Sequence, residues 1–233
     1  MADYALLYWQ VPFRGQFVRA VLAHAGKTWT EADDAAIATV MNGPVADMPV
    51  PFVGPPVLVD HRAGVAIAQM PAIVLYLGET LDLLPATPAL RALTLKTVLD
   101  ANDVIDELSL QGGRDMWSAQ RWQAFIPRLT KWLSLWEDTG RRHGLRPDAG
   151  YLLGGDAPGI ADVVTATLWT TLAERFQKID AVLQEVAPLT AALSQRVSAL
   201  PALTGLTAQA RQDYGDAYCG GDIGKSMAKV LNA

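Results

Sequence analysis

The chain has 233 residues, 51% of them hydrophobic, which is enough for one large domain or two small ones with buried cores. A formal net charge of −5, with no basic stripe, argues against nucleic acid as a partner. The single cysteine, Cys219, excludes an internal disulfide, and the three histidines lack the spacing of metal ligands.

The beginning of the chain predicts a cytoplasmic protein. The stretch MADYALLYWQVPF carries an acidic residue, and its short apolar run is broken by Gln10, unlike a secretion signal. The most apolar later stretch, residues 65 to 77, contains Gln69 and Pro71 and is shorter than the roughly 20 residues that span a bilayer. The sequence therefore predicts no membrane segment, and the single cysteine fits a reducing compartment.

In chain order, the first third alternates short apolar runs with helical stretches. YALLYW predicts a strand, GQFVRAVLAHAG a helix that ends at Gly26, and KTWTEAD a second strand, so a β-α-β unit comes first. A connection follows. PVLVD and GVAIA, separated by the turn HRAG, then predict a β-hairpin, and MPAIVLYLG predicts another helix.

The rest of the chain reads as helical. A connection with two prolines, LLPATPALRA, leads into amphipathic stretches. These predict long helices at residues 89 to 111, 118 to 142 and 159 to 177, and shorter ones near 188 to 199 and 202 to 213. The glycine-rich tail, residues 211 to 233, predicts a surface wrap or a partly disordered end.

Four segments, in this order, resemble the glutathione transferase family: LYWQVPFRGQFVRAVLAHAG, PPVLVD, AQMPAIVLYLG and GGDAPGIADVVTATLW. The resemblance covers nearly the whole chain and is to the tyrosine-type, bacterial-like members. It implies an α/β thioredoxin-like N-terminal domain plus an all-α helical C-terminal domain. The expected division is a glutathione-binding domain at residues 1–83, a linker at 84–91, and a helical domain with a C-terminal tail at 92–233.

In the family, the proline that begins the third strand is cis, and the residue before it pairs through its backbone with glutathione. Pro56 matches that proline, and a cis bond costs little only before proline. Pro55 precedes it and has no N–H, so only its carbonyl is expected to bind glutathione.

Gln69 and Met70 match the start of a family helix, where Gln or Glu precedes a Ser or Thr that binds the γ-glutamyl carboxylate. Met70 lacks the hydroxyl, and losing one hydrogen bond to a charged group weakens binding by about 1.5–3 kcal/mol. Pro71 suits the first helical turn, whose N–H groups still favour a carboxylate. We expect both Gln69 and Met70 to contact glutathione at a site that diverges from the family pattern.

The family ionises the glutathione thiol with Tyr, Ser or Cys near the end of the first strand. Only Tyr8 is present there, in YWQVPFRG, where the gap before Arg-Gly is about two residues longer than in tyrosine-type classes. Tyr8 is therefore the predicted catalytic residue, and Gln10 is an alternative donor. The competing interpretation is an aromatic residue that packs on the helical domain.

The resemblance also assigns charged residues. Arg14, before Gly15, is expected to support the domain interface or the glutathione site, whereas a solvated helix face explains Arg19 equally well. Asp103, in ANDVIDELS, matches an aspartate that reaches across a homodimer to the γ-glutamyl amine, although a charged surface position explains it too. Asp162 matches a capping box that serves folding alone.

The acceptor pocket is expected between the two domains. Aromatic and methionine side chains suit an apolar, adaptable site, and the residues predicted to line it are Trp9, Phe13, Met116 and Trp117.

The resemblance thus implies a homodimeric detoxification enzyme that uses reduced glutathione as a co-substrate, without a metal, against small apolar electrophiles. Two alternatives remain open. One is a non-catalytic ligand-binding or interaction protein with a degraded glutathione site, and the other is a different glutathione reaction, such as isomerisation, peroxide reduction or dehalogenation.

Overall fold

The computed structural model describes residues 2 to 232, which form a four-stranded sheet followed by a helical region. The strands are β1 (Tyr4–Leu7), β2 (Trp29–Glu31), β3 (Val57–Asp60) and β4 (Val65–Ala68). The helices are α1 (Phe13–His24), α2 (Asp34–Asn42), α3 (Met70–Thr80), α4 (Pro88–Leu108), α5 (Leu110–Gly113), α6 (Ala119–Arg142), α7 (Ile160–Arg175), α8 (Gln177–Val186), α9 (Pro188–Ser198), α10 (Pro201–Tyr214) and α11 (Gly221–Leu231), and a short 3₁₀ helix spans Val45–Asp47.

The sheet has the strand order β2-β1-β3-β4, with β1 and β2 parallel and the other pairs antiparallel. The predicted β-α-β unit and hairpin are both present. Gly64 closes the hairpin turn at a φ of +67°, a conformation that glycine adopts without steric cost. Leu7 pairs with Val57, and Val57 with Ala68. The residues that follow Leu7, precede Val57 and follow Ala68 therefore lie side by side at the same edge of the sheet.

Helix α2 lies in the segment that the sequence analysis interpreted as a plain connection, which was wrong. Asp33 caps it by accepting a hydrogen bond from the Ala36 N–H at 2.7 Å, and Ile37 is fully buried. With only one buried side chain in nine residues, the helix shows little periodicity for a sequence pattern to reveal.

The strand-containing part packs closely on the helical part. A Cβ added at Gly78 in α3 would lie 2.8 Å from Cγ1 of Ile160 in α7, so this contact requires glycine. The ring of His24 lies 3.2 Å from the Pro158 carbonyl oxygen, which ties the end of α1 to the loop before α7.

Buried carboxylates hold the starts of two C-terminal helices. Asp162 accepts from the Gly159 N–H at 3.0 Å, as the predicted capping box requires, and also from the Leu152 N–H at 2.7 Å in the preceding loop. Glu137, from α6, accepts from the N–H of Thr190 at 3.0 Å at the start of α9. Both residues therefore satisfy backbone donors that helix geometry leaves without partners.

The C-terminal tail departs from its prediction, because much of it is helical. Helix α11 buries Ile223, Met227 and Leu231, which are four residues apart and share one face. Gly224 allows close packing, since a Cβ there would overlap the Cys219 carbonyl. At least one of the glycines that predicted an irregular end therefore serves a contact of a packed helix. Likewise, the helix predicted to run to residue 177 ends at Arg175, and α8 follows.

None of the helices described is both long and apolar enough to cross a bilayer.

Candidate functional site

Tyr8 directly follows β1 and is only 2% exposed. Its hydroxyl oxygen accepts a hydrogen bond from the Arg14 N–H at 2.9 Å. Its ring packs against Gly15, where any added Cβ would overlap it. Burial raises the pKa of Tyr8 to about 12, although the Arg14 N–H acts in the opposite direction. The phenol is therefore neutral at pH 7, and because its oxygen accepts from Arg14, its own proton is available to a second partner.

Arg14 connects α1 to the helical region. Its Nε donates to Oδ1 of Asn102 at 3.1 Å, and its Nη2 lies 3.5 Å from Oδ1 of Asp106, both in α4. Its guanidinium also lies 4.9 Å from the centre of the Phe13 ring. These contacts correspond to the domain-interface role, one of the two that the sequence analysis gave Arg14.

The loop between β1 and α1 is held at several points. Gln10 is exposed, and its N–H donates to Asp34 at 3.2 Å. Phe13 has a φ of +30°, its N–H donates to the Tyr218 carbonyl at 3.1 Å, and its ring meets the Tyr218 ring edge-on at 5.5 Å. The C-terminal segment thus packs against the loop beside Tyr8.

Arg19 is buried, and this excludes the solvated helix face that the sequence analysis kept open. Its guanidinium binds both carboxylate oxygens of Glu31 in β2, at 2.8 and 2.7 Å. It also donates to the carbonyls of Val11 at 2.9 Å and Trp9 at 3.4 Å. One sequence signal for this position is its place between Val18 and Ala20, inside the apolar run of α1.

The edge of the sheet at which Tyr8 lies also carries Pro55, Pro56, Gln69 and Met70. The Pro55–Pro56 bond is cis, as predicted, and the Pro56 carbonyl accepts from the Gln69 N–H at 3.2 Å. Gln69 is exposed and has a φ of +75°, an uncommon conformation for a residue other than glycine. Such outliers concentrate at functional sites.

Met70 contributes its backbone rather than its side chain to this edge. The side chain is fully buried in the core. Because Pro71 has no N–H, the first turn of α3 presents the N–H groups of Met70 and Ala72. The positive end of the helix dipole favours an anion at that position.

Asp103 lies on an exposed face of α4 and has no hydrogen-bond or ion-pair partner among residues 2 to 232. Partial burial raises its pKa, and the nearby charges of Asp100, Glu107 and Asp106 raise it further. It follows Asn102, the partner of Arg14.

The four predicted pocket residues are not alike in their surroundings. Trp9 in the β1–α1 loop and Phe13 at the start of α1 are half-buried, and Met116 is exposed. Trp117 is almost fully buried, its indole N–H donates to the Leu108 carbonyl at 2.8 Å, and its ring packs edge-on against Phe125 at 5.3 Å. These contacts account for Trp117 as a core residue. In the described part of the chain, no group of three or more His, Cys, Asp or Glu side chains could hold a metal ion.

Sequence reasoning missed two residues that contact the start of α1. The sequence analysis gave Asn102 no role, yet its side-chain oxygen accepts from Arg14. Tyr218 stands in the tail, and nothing in the sequence indicates that its carbonyl meets Phe13. Contacts between such distant positions leave no local pattern.

Comparison with known proteins gives a consistent result. A family model described as the C-terminal domain of glutathione S-transferase matches residues 93–230. No curated protein matches the sequence.

Solved structures share the fold. A Pi-class glutathione S-transferase of Onchocerca volvulus has a TM-score of 0.71 at 17% identity, covering 94% of this chain and 98% of that one. A monomeric glutathione S-transferase, Na-GST-3, from the hookworm Necator americanus has a TM-score of 0.70 at 19% identity, covering 89% and 97%. A Nu-class enzyme from Haemonchus contortus has a TM-score of 0.69 at 22% identity, covering 89% and 97%. These likenesses confirm the predicted fold class.

Proposed function

Because the chain belongs to the glutathione S-transferase family, we propose that it binds reduced glutathione at the sheet edge beside Tyr8 and activates its thiol. The observation that carries the proposal is the hydrogen bond from the Arg14 N–H to the Tyr8 hydroxyl oxygen at 2.9 Å. It orients the hydroxyl and leaves its proton for a sulfur atom.

Stabilisation of the thiolate is the chemical step assigned to Tyr8. A free thiol with a pKa near 8.5 is only a few per cent ionised at neutral pH. The thiol proton leaves to solvent, and the Tyr8 O–H donates to the sulfur anion. The sulfur then attacks an electrophilic carbon, a carbon–sulfur bond forms, and the leaving group departs with the bonding electron pair. Because Tyr8 stays neutral, it stabilises the anion as a donor.

The remaining contacts to glutathione follow from the geometry of the same edge. The Pro55 carbonyl would accept from the cysteinyl N–H, and the first turn of α3, with Gln69, would bind the γ-glutamyl carboxylate. Arg14 supports this site from α1. Asp103 would bind the γ-glutamyl amine of the glutathione held by a partner subunit. For the acceptor we propose a small apolar electrophile next to Trp9 and Phe13, in a cytoplasmic detoxification reaction.

A second candidate is a non-catalytic ligand-binding protein with the same fold. Three observations favour it: Pro55 has no N–H, Met70 is apolar and buried, and Tyr8 is only 2% exposed.

Calorimetric titration with reduced glutathione separates the candidates. We expect a Kd of about 1 mM or below, in the range of enzyme substrates. Absence of binding at several times that concentration would favour the non-catalytic protein.

The Tyr8→Phe variant tests the catalytic role. Removing a hydrogen bond to a charged group should lower kcat about 10- to 100-fold, measured with a panel of aromatic and alkyl electrophiles. The variant also leaves the Arg14 N–H without its acceptor, so some loss of stability is expected. Tyr76→Phe is the matched control, because it also removes a tyrosine hydroxyl, but one outside the site. That hydroxyl donates a hydrogen bond of 2.8 Å to Asp60. Full activity in Tyr8→Phe would remove Tyr8 from its role.

A further inference from the structure

Arg19 is a buried cation, and each of its three guanidinium nitrogens donates at least one hydrogen bond. Its side chain is 2% exposed. The carboxylate of Glu31 neutralises it in a two-pronged pair, and Glu31 also accepts from the indole N–H of Trp29 at 2.8 Å. A buried guanidinium is tolerated when its charge is paired and its nitrogens are hydrogen-bonded, and here the charge is paired and four N–H groups donate to oxygen acceptors.

Two of the Arg19 N–H groups bind the loop that follows Tyr8 and holds its side chain in position. The loop joins Tyr8, at the end of β1, to Arg14, whose N–H fixes the Tyr8 hydroxyl. Between these ends, Arg19 holds the carbonyls of Trp9 and Val11. The loop is therefore fixed both to α1, which carries Arg19, and to β2, which carries Glu31.

Arg19 also lies beside the Tyr8 ring itself. Its guanidinium carbon is 5.7 Å from the Tyr8 ring centre and 5.2 Å from that of Tyr214 in α10. Distances of this size allow attraction between a cation and an aromatic ring. The other cation near Tyr8, Arg14, directs its guanidinium towards α4. Arg19 is thus the cation that binds the loop and also lies near the ring.

We propose that Arg19 is a positioning residue for Tyr8, which holds the β1–α1 loop so that the Tyr8 hydroxyl meets the sulfur of bound glutathione. The inference rests on the proposed function. It assigns Arg19 no contact with glutathione, because its guanidinium is enclosed by Glu31 and the loop carbonyls.

The geometry requires arginine rather than any cation. A lysine ammonium is a compact charge and cannot bind a carboxylate with two parallel bonds while donating to two carbonyls in fixed directions. Arg19→Lys should therefore keep the charge and lose much of the positioning, whereas Arg19→Met loses both.

The experiment follows the ionisation of bound glutathione by the ultraviolet absorbance of its thiolate, as a function of pH. For the unchanged protein, the pH midpoint of thiol ionisation, called the midpoint below, should be lower for bound glutathione than for free glutathione. In Arg19→Met it should rise by about one pH unit, with a smaller rise in Arg19→Lys, because a misplaced hydroxyl stabilises the thiolate less. The Kd for glutathione should change less than about threefold, since the groups that bind the peptide backbone stay in place.

Two further variants keep the result interpretable. Glu31→Gln is isosteric and keeps one acceptor oxygen at a partly exposed side chain, so it should fold even where Arg19→Met does not. Because it removes the second acceptor and the opposite charge, its midpoint should also rise. Arg91→Met is a control that removes an exposed arginine–carboxylate pair away from the loop, because the side chains of Arg91 and its partner Glu79 are 45% and 60% exposed. It should leave the midpoint unchanged.

The outcomes distinguish this inference from the proposed function. If glutathione bound to the unchanged protein titrates like free glutathione, or does not bind, the proposed function fails. If the midpoint is lowered in the unchanged protein and stays equally low in Glu31→Gln and in folded Arg19→Met, only the role of Arg19 is overturned.

Discussion

Gln69 and Met70 are neighbours with opposite environments. The Gln69 side chain is exposed at the site and the Met70 side chain is fully buried in the core. The pattern of the sequence placed both residues at the start of a helix, but it could not tell which side chain faces solvent. That distinction depends on the φ of +75° at Gln69, which turns the chain as α3 begins.

This contrast predicts that a substitution at Met70 lowers stability, whereas one at Gln69 lowers the affinity for glutathione. Met70→Ala should lower the free energy of unfolding by about 2–5 kcal/mol, because it leaves a cavity in the core. Its affinity for glutathione should stay within about threefold, because the Met70 N–H remains. Denaturant unfolding measures the first quantity and calorimetry the second.

Gln69→Ala is the reciprocal variant. We expect an affinity about tenfold lower, from one lost hydrogen bond to a charged group, and unfolding within about 0.5 kcal/mol of the unchanged protein. Equal loss of affinity in both variants would contradict a site built from the Gln69 side chain and the Met70 backbone.

At the scale of helices and strands, apolar periodicity was informative wherever an element buries a broad face. It predicted the four strands, α1, α3 and the long helices α4, α6 and α7 to within a few residues. It missed α2, which buries only Ile37, α8, which follows directly on α7, and α11, whose apolar residues are interspersed with glycines. Patterns report burial that is local in sequence, whereas the contacts of Phe13, Arg14 and Arg19 join distant segments.

The cap of α7 has a pH dependence with a definite sign. Burial raises the pKa of Asp162 to about 6, from 3.8 in the unfolded chain, although bonds from the Leu152 and Gly159 N–H groups oppose the shift. Because the folded value is the higher one, its contribution to stability is complete below pH 3.8 and is lost as pH rises through about 6. The effect is at most about 3 kcal/mol.

Asp162→Asn removes this titration. The difference in unfolding free energy between the unchanged protein and Asp162→Asn should shrink as pH rises from about 4 to 7, measured by urea unfolding at each pH. A difference independent of pH would show that the carboxylate stays ionised throughout that range.

At the scale of the whole molecule, α4 exposes an apolar stripe that leads to Asp103. Leu95 and Leu99 are 38% and 44% exposed, and the spacing of four residues places both on the same helix face as Asp103. We interpret this face as the contact between two copies, which would bring Asp103 to the partner's site.

The linker that the sequence analysis placed at residues 84–91, between the two domains, stays a prediction.

The dimer prediction has a matched pair of variants. Leu99→Glu should produce a monomer, because a charge buried in an apolar contact is strongly unfavourable, while Leu135→Glu, at a residue 37% exposed on α6, should not. Light scattering after size-exclusion chromatography gives the mass. A monomeric unchanged protein would contradict the prediction and leave Asp103 as a surface charge.

The bond between the Phe13 N–H and the Tyr218 carbonyl relates the site to the way the protein is made. A ribosome that adds roughly 5–20 residues per second needs on the order of ten seconds or more to pass from Phe13 to Tyr218. The β-α-β unit can fold early, but the loop beside Tyr8 gains its partner Tyr218 only after the helices up to α10 have been synthesised. The surroundings of Tyr8 are therefore completed well after the strand-containing part has emerged from the ribosome.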